Sequence, residues 1–190
     1  VSRETLARLT AYVDLLGRWQ QRINLVSRDS LADVWHRHVL DSAQLLKHRR
    51  HFEGLWLDLG SGAGFPGLVL AILGLGHVHL VESDQRKCAF LAEAARITET
   101  DVSIERRRIE DLRLGTADVI TARALAPLPR LLTLAAPLVG PKTELLLWKG
   151  QDVDGELTEA AKYWRMRAER LPSITDPAGT ILSLKELARV

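Results

Sequence analysis

The chain predicts an α/β fold built on a doubly wound, mainly parallel, seven-stranded sheet. Three observations carry that prediction. Short apolar runs alternate with amphipathic helical stretches between residues 55 and 163. The first run ends in an acid and a glycine-rich turn, Asp58-Leu59-Gly60-Ser61-Gly62-Ala63-Gly64-Phe65-Pro66-Gly67, which reads as a buried strand turning into a helix. The last stretch folds back at Asp176-Pro177-Ala178-Gly179, the turn of a terminal antiparallel hairpin. Residues 1–52 predict a helical extension ahead of one compact unit over 53–190.

Composition narrows the function classes. The 190 residues hold 26 Lys and Arg against 24 Asp and Glu, a net charge of +2 that permits a nucleic-acid partner without demanding one. A single cysteine, Cys88, excludes an internal disulfide framework and Cys-rich zinc sites, and no metal is expected. No apolar stretch approaches the roughly 18 residues of a membrane span. The amphipathic start has no signal-peptide core, so a cytoplasmic protein is expected.

Taken in order, residues 3–23 predict a helix with Leu6, Leu9, Val13, Leu16 and Ile23 on one face and Trp19 extending it. After Asn24-Leu25-Val26, Ser30 predicts an N-cap with Asp33 as its capping-box partner, opening a helix through Leu45. On that helix Arg37-His38-Val39-Leu40-Asp41-Ser42 sets His38 three residues from Asp41 and Arg37 four residues from it. The pair reads either as a link between packed helices or as part of a site. Lys47-His48-Arg49-Arg50-His51 puts cations at a helix C-terminus, where they complement its dipole; a phosphate patch is the alternative.

From residue 55 the pattern is strand 55–59, helix 66–74, strand 77–82, helix 84–97 with Cys88 as a small buried hydrophobe, and strand 102–105. The triplet Arg106-Arg107-Arg108 is solvated or touches RNA phosphates. Strand 118–122, helix 128–138, strand 143–148, helix 152–163 and closing strands 165–171 and 180–184 complete the chain.

The glycine turn is a nucleotide-type pocket. Bare glycine N–H groups suit a carboxylate or phosphate, and Asp58 at the strand end suits a cation. Glu82 lies 22 residues after Gly60, where an acid in a doubly wound fold meets ribose hydroxyls. Residues just past strand ends face the ligand crevice, which puts Arg123-Ala124 and Lys149-Gly150 there. The spacing Gly60-x-Gly62-x-Gly64-x-x-Gly67 fits the dinucleotide fingerprint only approximately. Preceded by Asp58, it resembles instead the acid-x-Gly-x-Gly-x-Gly turn of class I (Rossmann-like) S-adenosylmethionine (AdoMet) methyltransferases.

With Asn24-Leu25-Val26, Arg37-His38-Val39-Leu40-Asp41-Ser42, Thr121-Ala122-Arg123-Ala124 and Trp148-Lys149-Gly150, the chain resembles the 16S ribosomal RNA (guanine-N7) methyltransferase G family, also called glucose-inhibited division protein B. The resemblance implies AdoMet as donor, S-adenosylhomocysteine as product and a guanine of the 530 loop as acceptor, in 16S rRNA or the 30S subunit. It implies cofactor contacts at Gly60, Phe65, Ile109, Glu110 and Arg123; the turn itself adds Asp58, Gly62 and Gly64, and the end of the second strand adds Glu82. Arg123, His38 and Asp41 are the expected catalytic group, with Arg123 bordering cofactor and base and the other two ordering the helix over the pocket. Arg28, Arg37 and Lys149 are the expected RNA contacts, and a monomer is expected. N7 has a free lone pair, so neither an Asn-Pro-Pro-Tyr motif nor an attacking cysteine is needed, and neither is present. The alternatives are an AdoMet methyltransferase with another RNA, protein or small-molecule acceptor, an NAD-dependent oxidoreductase, and a non-catalytic RNA-binding module.

Overall fold

The computed structural model describes residues 1–48 and 51–190; Arg49 and Arg50, part of the basic run expected at a helix end, lie outside the described residues. The sheet has seven strands in the order β3-β2-β1-β4-β5-β7-β6. In chain order they are β1 (Trp56–Leu59), β2 (Val78–Glu82), β3 (Val102–Arg106), β4 (Ala117–Arg123), β5 (Val139–Lys149), β6 (Trp164–Pro172) and β7 (Thr180–Arg189). The first five pair in parallel, and β7 runs antiparallel to both β5 and β6. Helices α4 (Gly67–Ile72), α5 (Gln85–Ile97), α6 (Leu128–Ala135) and α7 (Val153–Ala161) cover the sheet. Its central strands are apolar on both faces, as parallel strands covered on both sides must be: every residue of β1 is buried.

Four details differ from expectation, each for a local reason. The first helix, α1 (Arg3–Gln20), is capped by Ser2 and ends before Ile23. Its inward face is Leu9, Tyr12, Leu15 and Leu16, while Leu6 is 52% exposed, because α1 packs on α4 and α5 one turn further along. The second helix starts earlier than predicted. Ser27 has the extended backbone a cap requires, and its Oγ accepts from the Ser30 N–H at 3.2 Å. Ser30 is therefore buried inside α2 (Arg28–Ala32), and Asp33 sits at its end instead of in a capping box. The helix then does not run on evenly to Leu45. It widens into a π turn over Trp35–Leu40 and tightens through α3 (Asp41–Ala43) into a 3₁₀ turn over Gln44–Lys47. The strands β3, β5 and β7 are longer than predicted; β7 reaches Arg189 because β6 pairs with it to the end, past an irregularity near Arg165.

The N-terminal helix belongs to the same core as the sheet. Trp19 Nε1 donates to Glu93 Oε2 on α5 at 2.9 Å, Arg8 donates to Thr100 Oγ1 at 3.1 Å, and the fully buried Tyr12 hydroxyl donates to the Ala63 carbonyl inside the glycine turn. Tyr12 also packs edge-on against Phe65, with ring centroids 5.6 Å apart. Tyr12→Phe keeps that packing and leaves the Ala63 carbonyl without its donor. It should lower stability by about 1–3 kcal/mol, the usual cost of a buried unsatisfied acceptor, read as a lower urea midpoint at unchanged slope.

Candidate active site

The ligand edge is assembled from the C-terminal ends of β1, β2, β4 and β5. Asp58, at the end of β1, is fully buried. Thr121 Oγ1 on β4 donates to its Oδ1 at 2.7 Å and in turn accepts from Trp56 Nε1 at 3.1 Å. Its other oxygen faces the start of α4, where a Cβ on Gly67 would come within 2.7 Å of it, so only glycine fits there. Burial pushes the Asp58 carboxyl up to about 6, against the hydrogen bonds from Thr121, Ser61 and the Gly67 backbone. The turn above it holds Gly60, Gly62 and Gly64 at φ of +69°, +54° and +94°, the left-handed region that costs glycine nothing. The N–H groups of Gly60 and Ser61 both donate to the Val81 carbonyl, at 2.9 and 3.0 Å, and Gly62 N–H donates to Glu82 Oε2 at 3.0 Å.

A cleft of about 350 Å³ opens over this turn. Gly60, Gly62, Glu82, Ile109 and Glu110 line it, so five of the expected cofactor residues converge. Asp58, Gly64 and Phe65 lie buried beneath and beside the turn, shaping it, and Arg123 faces away from this cleft. The residues present fit AdoMet: the glycine backbone leaves room where a Cβ on Gly62 would meet only the Gly60 carbonyl at 3.7 Å, an acid ends β2, and half-buried Ile109 offers an apolar wall. The cleft also takes in Lys87, Leu125 and Arg130, which the sequence reading did not single out. Their only signal was position, one helical turn or a short loop after a strand end.

A second cavity of about 580 Å³ lies on the other side of Arg123 and Ala124. Ala124 lines both cavities and, though not glycine, has φ of +49°. Such a conformation costs about 1–3 kcal/mol and persists only where its surroundings enforce it. Beside it, the Arg123 guanidinium is held by the π turn. Nε pairs with Asp41 Oδ2 at 3.2 Å, one terminal nitrogen donates to His38 Nδ1 at 2.7 Å, and the other donates to the Arg37 carbonyl at 2.6 Å. Arginine can only donate, so His38 Nδ1 accepts and its Nε2 carries the proton. That Nε2 is buried without a hydrogen-bond partner among the described residues. His38 stacks on Phe65 with centroids 4.6 Å apart and planes at 17°. Burial, then Arg123 and Arg37, push its pKa down to about 4, so the ring is neutral at ordinary pH. Asp41 Oδ1 accepts from Gln44 at 2.7 Å and from Thr175 on the β6–β7 turn at 2.6 Å. The expected trio of Arg123, His38 and Asp41 is thus one connected unit, with Arg123 hydrogen-bonded to His38 and ion-paired to Asp41.

The expected RNA contacts are scattered. Arg37 is exposed and lines the second cavity, and Arg28 is exposed on α2. Lys149 also borders the cavity, but its Nζ is buried, paired with Glu156 Oε2 at 2.7 Å and donating to the Ala126 carbonyl at 3.0 Å. Trp148, Thr175 and Asp176 complete the cavity wall. Sequence reasoning treated Asp176 only as a turn residue, because nothing local to it reveals that the turn reaches the ligand edge. Among the described residues no cluster of three or more His, Cys, Asp or Glu could hold a metal ion.

Comparison with known proteins places this geometry. The family model described as rRNA small subunit methyltransferase G matches residues 5–180. The ribosomal RNA small subunit methyltransferase G of Paramagnetospirillum magneticum is 56% identical over all of this chain and 92% of its own length. That of Rhodospirillum rubrum is 55% identical over all of this chain and 94% of its own. Among solved structures, a ribosomal protein L11 methylase from Lactobacillus delbrueckii subsp. bulgaricus shares the fold with a TM-score of 0.63 at 14% identity, covering 79% of this chain and 78% of that one. Magnesium protoporphyrin IX methyltransferase from Synechocystis, solved with bound SAM, covers 97% of each chain with a TM-score of 0.60 at 15% identity.

Two titrations in the site should pull stability in opposite directions. The Asp58 carboxyl, raised from 3.8 to about 6, binds its proton more tightly folded than unfolded, so its contribution is full below 3.8 and is lost as pH rises through about 6. His38, lowered from 6.5 to about 4, contributes fully above 6.5 and loses its contribution as pH falls through about 4. Relative to the native protein, Asp58→Asn should therefore make stability climb more steeply with pH across this window. His38→Gln should make it fall. Urea unfolding at a series of pH values reads both slopes.

Proposed function

The chain belongs to the rRNA small subunit methyltransferase G family, and from that premise we propose that it transfers a methyl group from AdoMet to N7 of a guanine in the 530 loop of 16S ribosomal RNA. The observation that carries the reading is the pair of cavities meeting at Ala124, one over the glycine turn and one over Arg123. AdoMet, when bound, supplies a sulfonium methyl open to in-line displacement. Gly60, Gly62, Glu82, Ile109 and Glu110 would hold it, and Asp58, Gly64 and Phe65 would keep the turn in shape from below.

The chain's own part is positioning. N7 needs no base to remove a proton, so the rate depends on holding nitrogen in line with the methyl carbon at near-attack distance. Arg123 lines the second cavity next to Ala124, and three of its five N–H groups are engaged by Asp41, His38 and Arg37. The remaining two can hydrogen-bond the guanine O6, next to N7. The neutral His38 fills the face of Phe65 without adding a second positive charge beside a base that becomes cationic on methylation. Arg28 and Arg37 serve RNA phosphates, and Lys149, already paired with Glu156, holds the loop after β4. The same reading has the enzyme acting as a monomer in the cytoplasm on 16S rRNA or the 30S subunit.

The test is transfer of labelled methyl from AdoMet to 30S subunits and naked 16S rRNA from a strain lacking the enzyme, with the product mapped by chemical cleavage at N7-methylguanine. A single site in the 530 loop is expected; a different base or a protein acceptor would overturn the assignment. Arg123→Ala should reduce transfer about a hundred-fold or more, the scale of a misplaced reacting group. Arg123→Lys should be nearly as impaired, because the charge survives but the planar fork does not. Full activity in either variant would remove Arg123 from this role.

A further inference from the structure

We propose that Asp176 reads the Watson–Crick edge of the target guanine from the wall of the second cavity that lies furthest from the cofactor cleft. The inference rests on the reading of this site as a guanine-N7 methyltransferase and adds the residue that selects guanine.

The sheet order sets the geometry. The cleft lies over the ends of β1 and β2, at Gly60 and Glu82, and the second cavity lies over the ends of β4 and β5, at Arg123 and Trp148. Next in the sheet comes β7, where Thr180 pairs with Lys149. The turn from Ser173 to Gly179 therefore stands at the ligand edge on the side away from the cleft. A guanine seated in this cavity with N7 toward the cleft turns its N1–H and N2-amino group toward that turn. These are donors, and a carboxylate can accept from both at once.

Three carboxylates line the cavity: Asp33, Asp41 and Asp176. Asp41 is taken up by Arg123, Gln44 and Thr175. Asp33 lies on the near, α2 side, 3.6 Å from His36. Asp176 is exposed at the far wall, and its Oδ1 accepts from the Ala178 N–H at 2.9 Å, which ties the carboxylate to its turn. The turn is tied to the rest of the site. Thr175 donates to Asp41 at 2.6 Å, and the Ile174 N–H donates to Gln44 Oε1 at 2.9 Å. Asp41 thus holds Arg123 with one oxygen and the residue beside Asp176 with the other. The donor set for O6 and the acceptor set for N1 and N2 share one anchor, spaced by the cavity between them. Adenine presents a lone pair at N1 and no N2-amino group, so the same carboxylate repels it.

The experiment compares guanine with inosine, which lacks only the N2-amino group and keeps N7. 30S subunits are reconstituted with 16S rRNA carrying either base at the mapped position, and kcat/KM is measured for each. The native enzyme should favour guanine by about ten-fold or more, the usual worth of a hydrogen bond to a charged group. Asp176→Ala should bring the ratio close to one by slowing guanine more than inosine, which keeps the N1–H but has no N2-amino group to lose, with AdoMet affinity retained as the check on folding. Asp176→Asn keeps the contact with Ala178 through its one oxygen but turns an NH2 donor toward the guanine donors, and should lose the preference for guanine as Asp176→Ala does. If Asp176→Ala keeps the native ratio, or the native enzyme treats the two bases alike, the proposal is wrong while the methyltransferase reading stands. If the native enzyme methylates neither base on 30S, the proposed function fails and this inference with it.

Discussion

A guanidinium taken out of water must have its charge answered and its donors met, and at Arg123 that requirement ties the molecule together. Asp41 supplies the charge, His38 and the Arg37 carbonyl take two further donors, and all three come from the widened helical turn near the N-terminus and the residue directly after it. Arg123 itself ends β4 at the centre of the sheet. The constraint therefore fixes the N-terminal segment relative to the ligand edge. A regular α-helix puts neighbours three and four residues apart on one face; the π turn over Trp35–Leu40 adds a residue and lets a carbonyl, an imidazole and a carboxylate all reach one side chain. Burial still lowers the Arg123 pKa, with Coulomb attraction to Asp41 the main influence acting the other way.

The same logic operates one strand away. Asp58 is a buried acid under the glycine turn, partnered by Thr121, while the turn is gripped by Val81, Glu82 and Tyr12 from three directions. Tyr12 and Phe65 join the two arrangements. Tyr12 reaches from α1 to the turn, and Phe65, inside the turn, carries the His38 ring on its face. The N-terminal helices thus wall the second cavity and brace the glycine turn beneath the cleft. A cofactor loop that must hold three glycines at positive φ depends on such walls, because glycine pays the largest entropic cost to be ordered.

Much of this was legible in the residues. Apolar runs alternating with helical stretches placed all seven strands, the central ones most plainly, since a strand buried on both faces leaves a continuous apolar signature. The glycine turn and Glu82 were found by spacing along the chain, the Ile109-Glu110 pair through the family resemblance, and they do meet in one cleft. The errors were at boundaries and caps. Ser27 and Ser30 are both competent N-caps by chemistry, and backbone conformation chose the first. Leu6 and Tyr12 lie on neighbouring faces of α1, and the packing partner, not the periodicity, decided which was buried.

By itself the sequence determined the fold class, the strand–turn–helix that cradles a ligand, and the chemical identities of Arg123, His38 and Asp41. Those depend on local spacing, hydrophobic period and the conformational freedom of glycine, all properties of short windows. What only the tertiary structure decided is which long-range partners those side chains keep. It joined Arg123 to His38 and Asp41 across more than eighty residues, buried Lys149 against Glu156 when a free cation was expected, and brought the Asp176 turn beside β5. Strand order and burial set these outcomes, because a charge removed from water must find its counterpart wherever the folded chain supplies one.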